Sequence, residues 1–534
     1  MHTLGTILAS ATRFFVITAV ADARVRLAPL AQHAEDLAVP VPSDELVWTD
    51  VALAAGVMYV LVAEEGWQDP AGLRPVGAVA LSVLERVLRR KATALAQEHY
   101  ALAHAPKTQA AFDPDRSAVP VAGRVYGSEE IDAVLQAGLD FWLTSGRFNH
   151  AFERGLSEFL DLKYVLTVNS GSSANLLAVS ALMSHLLGER ALRPGDEVVT
   201  VAAGFPTTVN PILQNGLIPV FVDVDLETLN VIAERIETAI TERTKAVILA
   251  HTLGNPFNLA TVMAICRRHG LWLVEDCCDA LGSEYVLPAG QAALSRVERP
   301  LRCGTFGHIA TYSFYPAHHI TMGEGGAVAT ADPLLRKILE SMRDWGRDCW
   351  CPPGHDNTCR RRFGWKLGEL PEGYDHKYIY SHAGYNLKIS DMQAAVGAAQ
   401  LRRLPEFVER RRENYALWTE ALAGLEGDCL LTRPTAGGRP SWFGLPVTLV
   451  STVPGLREEL MRYLNDRRIA TRLLFGGNLI RQPYFTHHPY RVAGSLENTD
   501  SVMLRTFWLG VYPALDKERI QHAAQALRDF FGRR

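Results

Sequence analysis

The sequence has no long apolar run, no excess of charge of one sign and few cysteines, and each shortage excludes a class of protein. The most apolar early stretches, Phe14 to Val20 and Val51 to Ala63, both fall short of the run of about 20 residues that spans a bilayer. Neither makes a membrane anchor. A secretory leader wants a basic start, a longer apolar core and a small-residue cleavage site, whereas Arg13 stands alone and Asp22, Arg24 and Arg26 follow at once. The expected location is cytoplasmic, with no membrane partner. The net charge is -4 with the signs interspersed, so there is no basic stripe to neutralise phosphates and no nucleic-acid partner is expected. Eight cysteines in 534 residues are too sparse for a disulfide framework. Cys277, Cys278, Cys349, Cys351 and Cys359 need a chemical explanation, while Cys266, Cys303 and Cys429 read as core residues.

What is present is ordinary globular composition, 48% hydrophobic and 21% charged, in a chain too long for one core. From Gly195 onward short β-branched runs succeed one another: Glu197 to Ala202, Ile218 to Val224, Lys245 to His251, Leu271 to Asp276, Ile309 to Phe314 and Gly326 to Ala331. Each reads as a buried strand. Helical patterns lie between several of them, at Leu229 to Thr241 and Leu259 to His269, and this alternation predicts an α/β domain with a mostly parallel sheet. A long helical stretch through Asp391 to Leu404 and Phe407 to Leu422 leads to a smaller α+β segment with a strand at Trp442 to Val450 and a helix at Gly455 to Arg468. The expected domains are therefore 1–85, an extension of unknown role whose Ala, Val and Leu content admits an extra helical segment; 86–404, the large domain; and 405–534, the small one.

The strand Tyr164 to Val168 runs into Asn169-Ser170-Gly171-Ser172-Ser173 and then a helical pattern, Ala174 to Leu186. Strand, small-residue turn and helix form an anion cradle, because free backbone N–H groups and the positive helix end point at one spot. Asp276 and the segment Ser313 to His319 end two further strands. Ligands of open α/β sheets bind beyond the carboxyl ends of the strands, so an acid, a hydroxyl, an imidazole and the cradle should converge.

The order Ser170-Gly171-Ser172-Ser173-Ala174, Glu275-Asp276, Ser313-Phe314-Tyr315-Pro316 and Gly323-Glu324-Gly325-Gly326 resembles the DegT/DnrJ/StrS family of sugar aminotransferases and dehydratases. These are fold-type-I vitamin B6 enzymes. Long stretches, among them Ala203 to Asn210, His251 to Phe257, Arg343 to Cys351, Tyr374 to His382 and Thr471 to Pro483, are similar to the subgroup of PMP-dependent 4-keto-6-deoxyhexose 3-dehydrases. The resemblance runs from about Arg86 to the C-terminus. In the family the cofactor-binding lysine lies two residues after the proline of the Ser-Phe-Tyr-Pro motif, and this chain has His318 there. Imidazole cannot form the Schiff base that lysine forms, so the resemblance implies a noncovalent cofactor, pyridoxamine 5′-phosphate (PMP), with His318 moving the proton at its C4′. It further implies Asp276 at the pyridine nitrogen, Phe205 on the ring, Ser172, Ser173 and Ser313 on the phosphate, and Asn255 near the 3′ oxygen. Asn386 would reach the phosphate of a partner subunit in a homodimer, and Arg472 would bind the diphosphate of the sugar nucleotide.

Cys349-Trp350-Cys351 with Cys359 resembles the ligand run of the [2Fe–2S] cluster of these dehydrases, with Cys277 or Cys278 as the fourth ligand and the family pattern favouring Cys278. A structural zinc ion or unligated thiols are the competing readings. Two departures stand out: extra residues around Val286 to Pro300, and His355 where some relatives carry another cysteine. The activity implied is loss of the C3 hydroxyl from a nucleotide-linked 4-keto-6-deoxyhexose, CDP-4-keto-6-deoxy-D-glucose foremost, in dideoxysugar and lipopolysaccharide biosynthesis. Electrons would come from an NAD(P)H-dependent flavin iron–sulfur reductase. The alternatives are a sugar aminotransferase, which needs the missing lysine, and a noncatalytic PMP-binding redox protein.

Overall fold

The computed structural model describes residues 85–288 and 300–533, apart from residue 109 and the side chains at 87 and 108; over residues 8–84 it describes only the backbone of the regular elements. Most of the extra residues between Val286 and Pro300 lie outside the described residues. The chain forms two compact units, Met1–Lys107 and Thr108–Arg534. In the first, the stretch that admits a helix by composition instead holds short antiparallel strands, such as Phe14–Ala21 paired with Arg24–Ala31 and with Val57–Val62, and a helix begins only at Leu81. Aromatic and β-branched residues concentrated in those runs account for the difference.

The second unit is built on an eight-stranded mixed sheet. Its order is Arg491–Val492, Ile218–Val222, Glu197–Val201, Thr244–Ala250, Trp272–Asp276, Ile309–Ser313, Gly326–Thr330 and Tyr164–Val168. The first six run parallel and the last two pair antiparallel. The β-branched runs behave as expected of strands buried on both faces. Val199, Val201, Val247, Leu249 and Leu273 point into one core, and Val198, Ala246, Ile248, Trp272 and Val274 into the other. The α/β architecture and the mostly parallel sheet agree with the sequence reading. One helix is shorter than its pattern: Leu229 takes a left-handed φ of 58° and Val231 bridges Val224, so only Arg235–Ala239 is helical.

The helix Asp391–Ala421 is continuous through Pro405 and leads to a four-stranded antiparallel sheet of Cys429–Leu431, Gly444–Leu449, Thr506–Gly510 and Arg472–Leu473. Trp418 fastens the two. It is fully buried among Leu445, Val447, Phe507 and Leu509, and its Nε1 donates to Gly510 O at 2.9 Å. No described helix is long and apolar enough to cross a membrane. We expect Trp418→Ala to destabilise this C-terminal layer by about 3–5 kcal/mol through the cavity it leaves. Urea unfolding measures this, and an unchanged midpoint would show that the helix is held elsewhere.

Candidate active site

At the carboxyl ends of the parallel strands lies a cavity of about 980 Å³. Ser170 is extended there and caps the helix Gly171–Leu182, its Oγ accepting from Ser173 N at 3.0 Å. Ser170, Ser172 and Ser313 line the cavity, and the backbone comes so close that a Cβ on Gly171 would lie 2.4 Å from Ser313 Cβ and 3.1 Å from Cys278 Sγ. Ser173 turns its hydroxyl to Ser170 instead, at 3.0 Å. Unpaired N–H groups at this helix start and the hydroxyls around it suit a phosphate.

Asp276 ends the central strand and is 4% exposed. Its Oδ2 accepts from Asn175 Nδ2 at 2.8 Å and Thr208 Oγ1 at 2.6 Å, and its Oδ1 from Cys278 N at 3.1 Å. Thr311 Oγ1 in turn donates to Asn175 Oδ1 at 2.6 Å. Phe205 caps the helix Pro206–Gln214 and is 51% exposed over the cavity, edge-on to Phe475. A core-packing role does not describe it.

His318 also lines the cavity, with Nδ1 3.7 Å from Asp279 Oδ1. Burial, reinforced by the charge of Arg411, pulls His318 down to about 4. It is neutral at pH 7 and able to accept a proton. Burial and the charge of Asp276 raise Asp279 to about 8, and burial lowers Arg411 to about 9. Arg411 donates to Trp442 O and Phe443 O through Nη1 and to His318 O through Nη2.

Arg472 lines the cavity with an exposed side chain, its Nη1 donating to Thr471 O at 2.9 Å. Besides Ser173, the expected residues Asn386 and Asn255 do not line the cavity. Asn386 is exposed and accepts from Lys388 Nζ at 2.9 Å. Asn255 is fully buried; its Nδ2 donates to Thr228 O and Arg433 O and its Oδ1 accepts from Thr435 N. Both of its amide hydrogens are thus donated to loop backbone.

The cysteines divide into two places. Cys278 lines the large cavity, whereas Cys277 is fully buried beside Glu275, Cys303 and Tyr312. Cys349, Cys351 and Cys359 share a second, small cavity with His376. Cys351 N donates to Cys349 Sγ at 3.5 Å, and Cys359 Sγ lies 3.8 Å from His376 Nδ1, whose other nitrogen is 2.7 Å from Asp348 Oδ2. Among the described residues, no shared cavity or hydrogen bond joins Cys278 to these three. The one described group of three ligand-type side chains mutually within 4.8 Å is His251, Glu275 and Cys277. Its polar atoms serve the fold: Glu275 accepts from His251, Gly304 N, Phe306 N and Gly307 N.

Sequence reasoning missed Asn175, Thr208, Asp279 and Arg411. Asn175 carried a signal, as an amide inside an otherwise apolar helical run. Arg411 carried none, since it sits between Arg410 and Arg412 in one long helix and only the fold shows which of them turns fully inward.

The fold and the cavity beyond the strand ends are those of a vitamin B6-type aminotransferase architecture, and comparison with known proteins agrees. The chain belongs to the DegT/DnrJ/EryC1/StrS aminotransferase family, whose model matches residues 125–528. It is 55% identical over 445 residues to the lipopolysaccharide biosynthesis protein RfbH of Salmonella typhimurium, covering 83% of this chain and 98% of that one. It is 48% identical over 427 residues, 80% of this chain and 89% of the relative, to a dTDP-4-dehydro-2,6-dideoxy-D-glucose 3-dehydratase of Saccharopolyspora spinosa. Among solved structures, the E. coli GDP-4-keto-6-deoxy-D-mannose-3-dehydratase with bound hydrated PLP superposes with a TM-score of 0.67 at 26% identity, covering 77% of this chain and 99% of that one.

The close approach at the cradle gives a test. Gly171→Ala forces its Cβ onto Ser313, an overpacking expected to cost about 1–3 kcal/mol. Adding Ser313→Gly should recover part of that loss in a double-mutant cycle. Additive losses in thermal unfolding would mean that the two residues are not in contact.

Proposed function

We propose that the chain is a sugar-nucleotide 3-dehydrase that binds PMP and removes the C3 hydroxyl of a nucleotide-linked 4-keto-6-deoxyhexose. The observation that carries this reading is His318: the cavity has the phosphate cradle and the buried carboxylate of its family, yet among the described residues no lysine lines it. A sugar aminotransferase regenerates its cofactor through a lysine Schiff base, and this site lacks the amine to do so. The relatives support the assignment, since the names of the Saccharopolyspora and E. coli proteins both put dehydration at C3 of a keto sugar nucleotide.

The residues fit PMP. Ser170, Ser172 and Ser313 would hold the phosphate with the start of the helix Gly171–Leu182, and Phe205 would cover the ring. Asp276, fixed by Asn175 and Thr208, would keep the pyridine nitrogen protonated. Bound there, PMP supplies an amine for the 4-keto group and a ring that takes up electrons as the C3 hydroxyl departs. His318, neutral before binding, takes the proton at C4′, and Arg472 receives the diphosphate. Asn386, turned outward from its own cavity, would complete the site of a second subunit in a homodimer.

Cys349, Cys351 and Cys359 fit three positions of a [2Fe–2S] centre, with Cys278 proposed as the fourth and Cys277 too enclosed to serve. Four thiolates suit iron or zinc alike, so the preference for a two-iron centre rests on the resemblance of the Cys349–Cys359 run to the ligand run of these dehydrases. Such a centre supplies electrons singly, and the implied source is an NAD(P)H-dependent flavin iron–sulfur reductase. CDP-4-keto-6-deoxy-D-glucose is the proposed sugar, and dideoxysugar and lipopolysaccharide biosynthesis the proposed setting.

The test is anaerobic reconstitution with iron and sulfide, followed by absorbance and electron paramagnetic resonance spectra. The expected result is a reducible [2Fe–2S] signal that Cys351→Ser loses; absence of bound iron in the reconstituted protein removes the redox half of the proposal. Separately, His318→Gln should lower kcat for C3 dehydration by about 100- to 10,000-fold, the span of general acid–base catalysis, with sugar-nucleotide affinity little changed. Equal activity of the two proteins on CDP-, dTDP- and GDP-linked 4-keto sugars alike would remove His318 from the mechanism.

A further inference from the structure

The segment Tyr385 to Lys388 is bound along Met342 to Trp345 by backbone hydrogen bonds. Tyr385 N donates to Met342 O at 2.7 Å, Leu387 N to Arg343 O at 3.1 Å and Trp345 N to Tyr385 O at 2.5 Å, with Asp344 and Asn386 facing each other in the bridge. Leu387 O accepts in turn from Asn169 N, just before the cradle, at 2.8 Å. The backbone of Asn386 therefore has a fixed place, while its side chain is exposed. An exposed amide rotates freely unless a neighbour holds it.

Lys388 is that neighbour. Its Nζ donates to Asn386 Oδ1 at 2.9 Å, stands 3.5 Å from the centre of the Trp345 ring and 3.7 Å from Asp344 Oδ1, and its side chain is only 9% exposed. Burial lowers the pKa of Lys388 while the charge of Asp344 raises it. A carboxylate and an aromatic face beside one amine both favour its ammonium form. Trp345 is brought to the lysine by a left-handed φ of 63°, which a large side chain rarely adopts and which persists only where the surroundings impose it. An ammonium has three donors and no acceptor, so the amide atom turned towards it must be the oxygen. Nδ2 of Asn386 is left with both hydrogens, and no hydrogen bond among the described residues uses them.

We propose that Lys388 is a positioning residue for Asn386, fixing its amide so that Nδ2 presents its donors to the phosphate of the cofactor bound by a second subunit. This rests on the reading of Asn386 as a phosphate ligand across a homodimer. Phosphate oxygens require donors, and a lysine that occupies the amide oxygen leaves free the half of the amide that suits them. An unheld amide would turn its oxygen to the anion part of the time, and ordering it would oppose binding. The competing account is that the charge of Lys388 attracts the same phosphate directly, without regard to Asn386.

The experiment is PMP titration of the full-length protein and its variants, followed by the absorbance of the cofactor, with dimer mass and thermal unfolding checked for each. Asn386→Ala should raise the Kd for PMP about 10-fold or more, the worth of a hydrogen bond to a charged group. Lys388→Met should raise it about 3- to 10-fold, with no further loss when added to Asn386→Ala, and Lys388→Arg, which keeps a donor and stacks on Trp345, should restore most of the affinity. A crystal structure of the PMP-bound protein should show the amide bridging Lys388 Nζ and the partner subunit's phosphate. An equal loss from Lys388→Met with and without Asn386 assigns the lysine to charge attraction and overturns the inference. So does an amide turned away from Lys388 in the crystal, or an unaffected Lys388→Met beside a weakened Asn386→Ala. Unchanged affinity in Asn386→Ala removes the reading of Asn386 itself, and the inference falls with it.

Discussion

The carboxylate of Asp276 is the constraint on which the geometry of the site depends. An ionised carboxylate removed from water costs several kcal/mol unless it is hydrogen-bonded. Asp276 meets that demand with Asn175 from one helix, Thr208 from another and the backbone of Cys278. Each donor has a second effect. Asn175 lies one turn inside the helix whose start forms the phosphate cradle, and Thr208 lies one turn inside the helix whose cap is Phe205. Satisfying one acid therefore fixes the cradle and the aromatic cover relative to the end of the central strand. Burial, which makes the carboxylate costly, is also what gives it leverage over two helices.

A second buried charge does comparable work behind the base. Arg411 comes from the long helix Asp391–Ala421 and is 1% exposed. It binds the carbonyl of His318 on one side and those of Trp442 and Phe443 on the other. A buried guanidinium is weak evidence for stability, since an apolar replacement of the same volume is often as stable. What it contributes is position: it ties the loop bearing His318 to the segment entering the C-terminal sheet. The small layer, which supplies only Phe443, Arg472, Leu473, Phe475, Gly476 and a few neighbours to the cavity wall, is thereby linked to the chemistry.

Most of the large sheet was legible in the sequence because its strands are buried on both faces, so that a run such as Ile218–Val222 is apolar throughout. That Asp276, the segment of Ser313 and His318, and the cradle after Tyr164–Val168 should meet followed from their positions at strand ends, whereas Phe205 was implied by the family resemblance alone. Asn255 shows a different limit of sequence reading. Proximity in sequence to a site loop says nothing about which way an amide turns, and this one found buried carbonyls first. Spacing also could not tell that Cys278 and the Cys349–Cys359 run occupy separate cavities, because four described strands and a helix lie between them. The helix expected at Leu229 was lost to a single left-handed residue and a backbone bridge, features that apolar periodicity does not encode.

Histidine at position 318 changes how the site must hold its cofactor on the proposed reading. With lysine, a covalent bond secures the cofactor between turnovers and the remaining contacts mainly orient it. With imidazole, retention becomes the sum of noncovalent terms, and each 1.4 kcal/mol lost from any of them is a tenfold loss in affinity. The phosphate cradle, the Asp276 network and the cover of Phe205 then bear on occupancy as well as on geometry. This gives a physical reason for the rigidity found around them: a cradle packed too tightly to admit a Cβ at Gly171, and an acid whose two oxygens are already aimed by three donors, lose little freedom when the ligand arrives. Preorganisation can supply the affinity that the missing covalent bond does not.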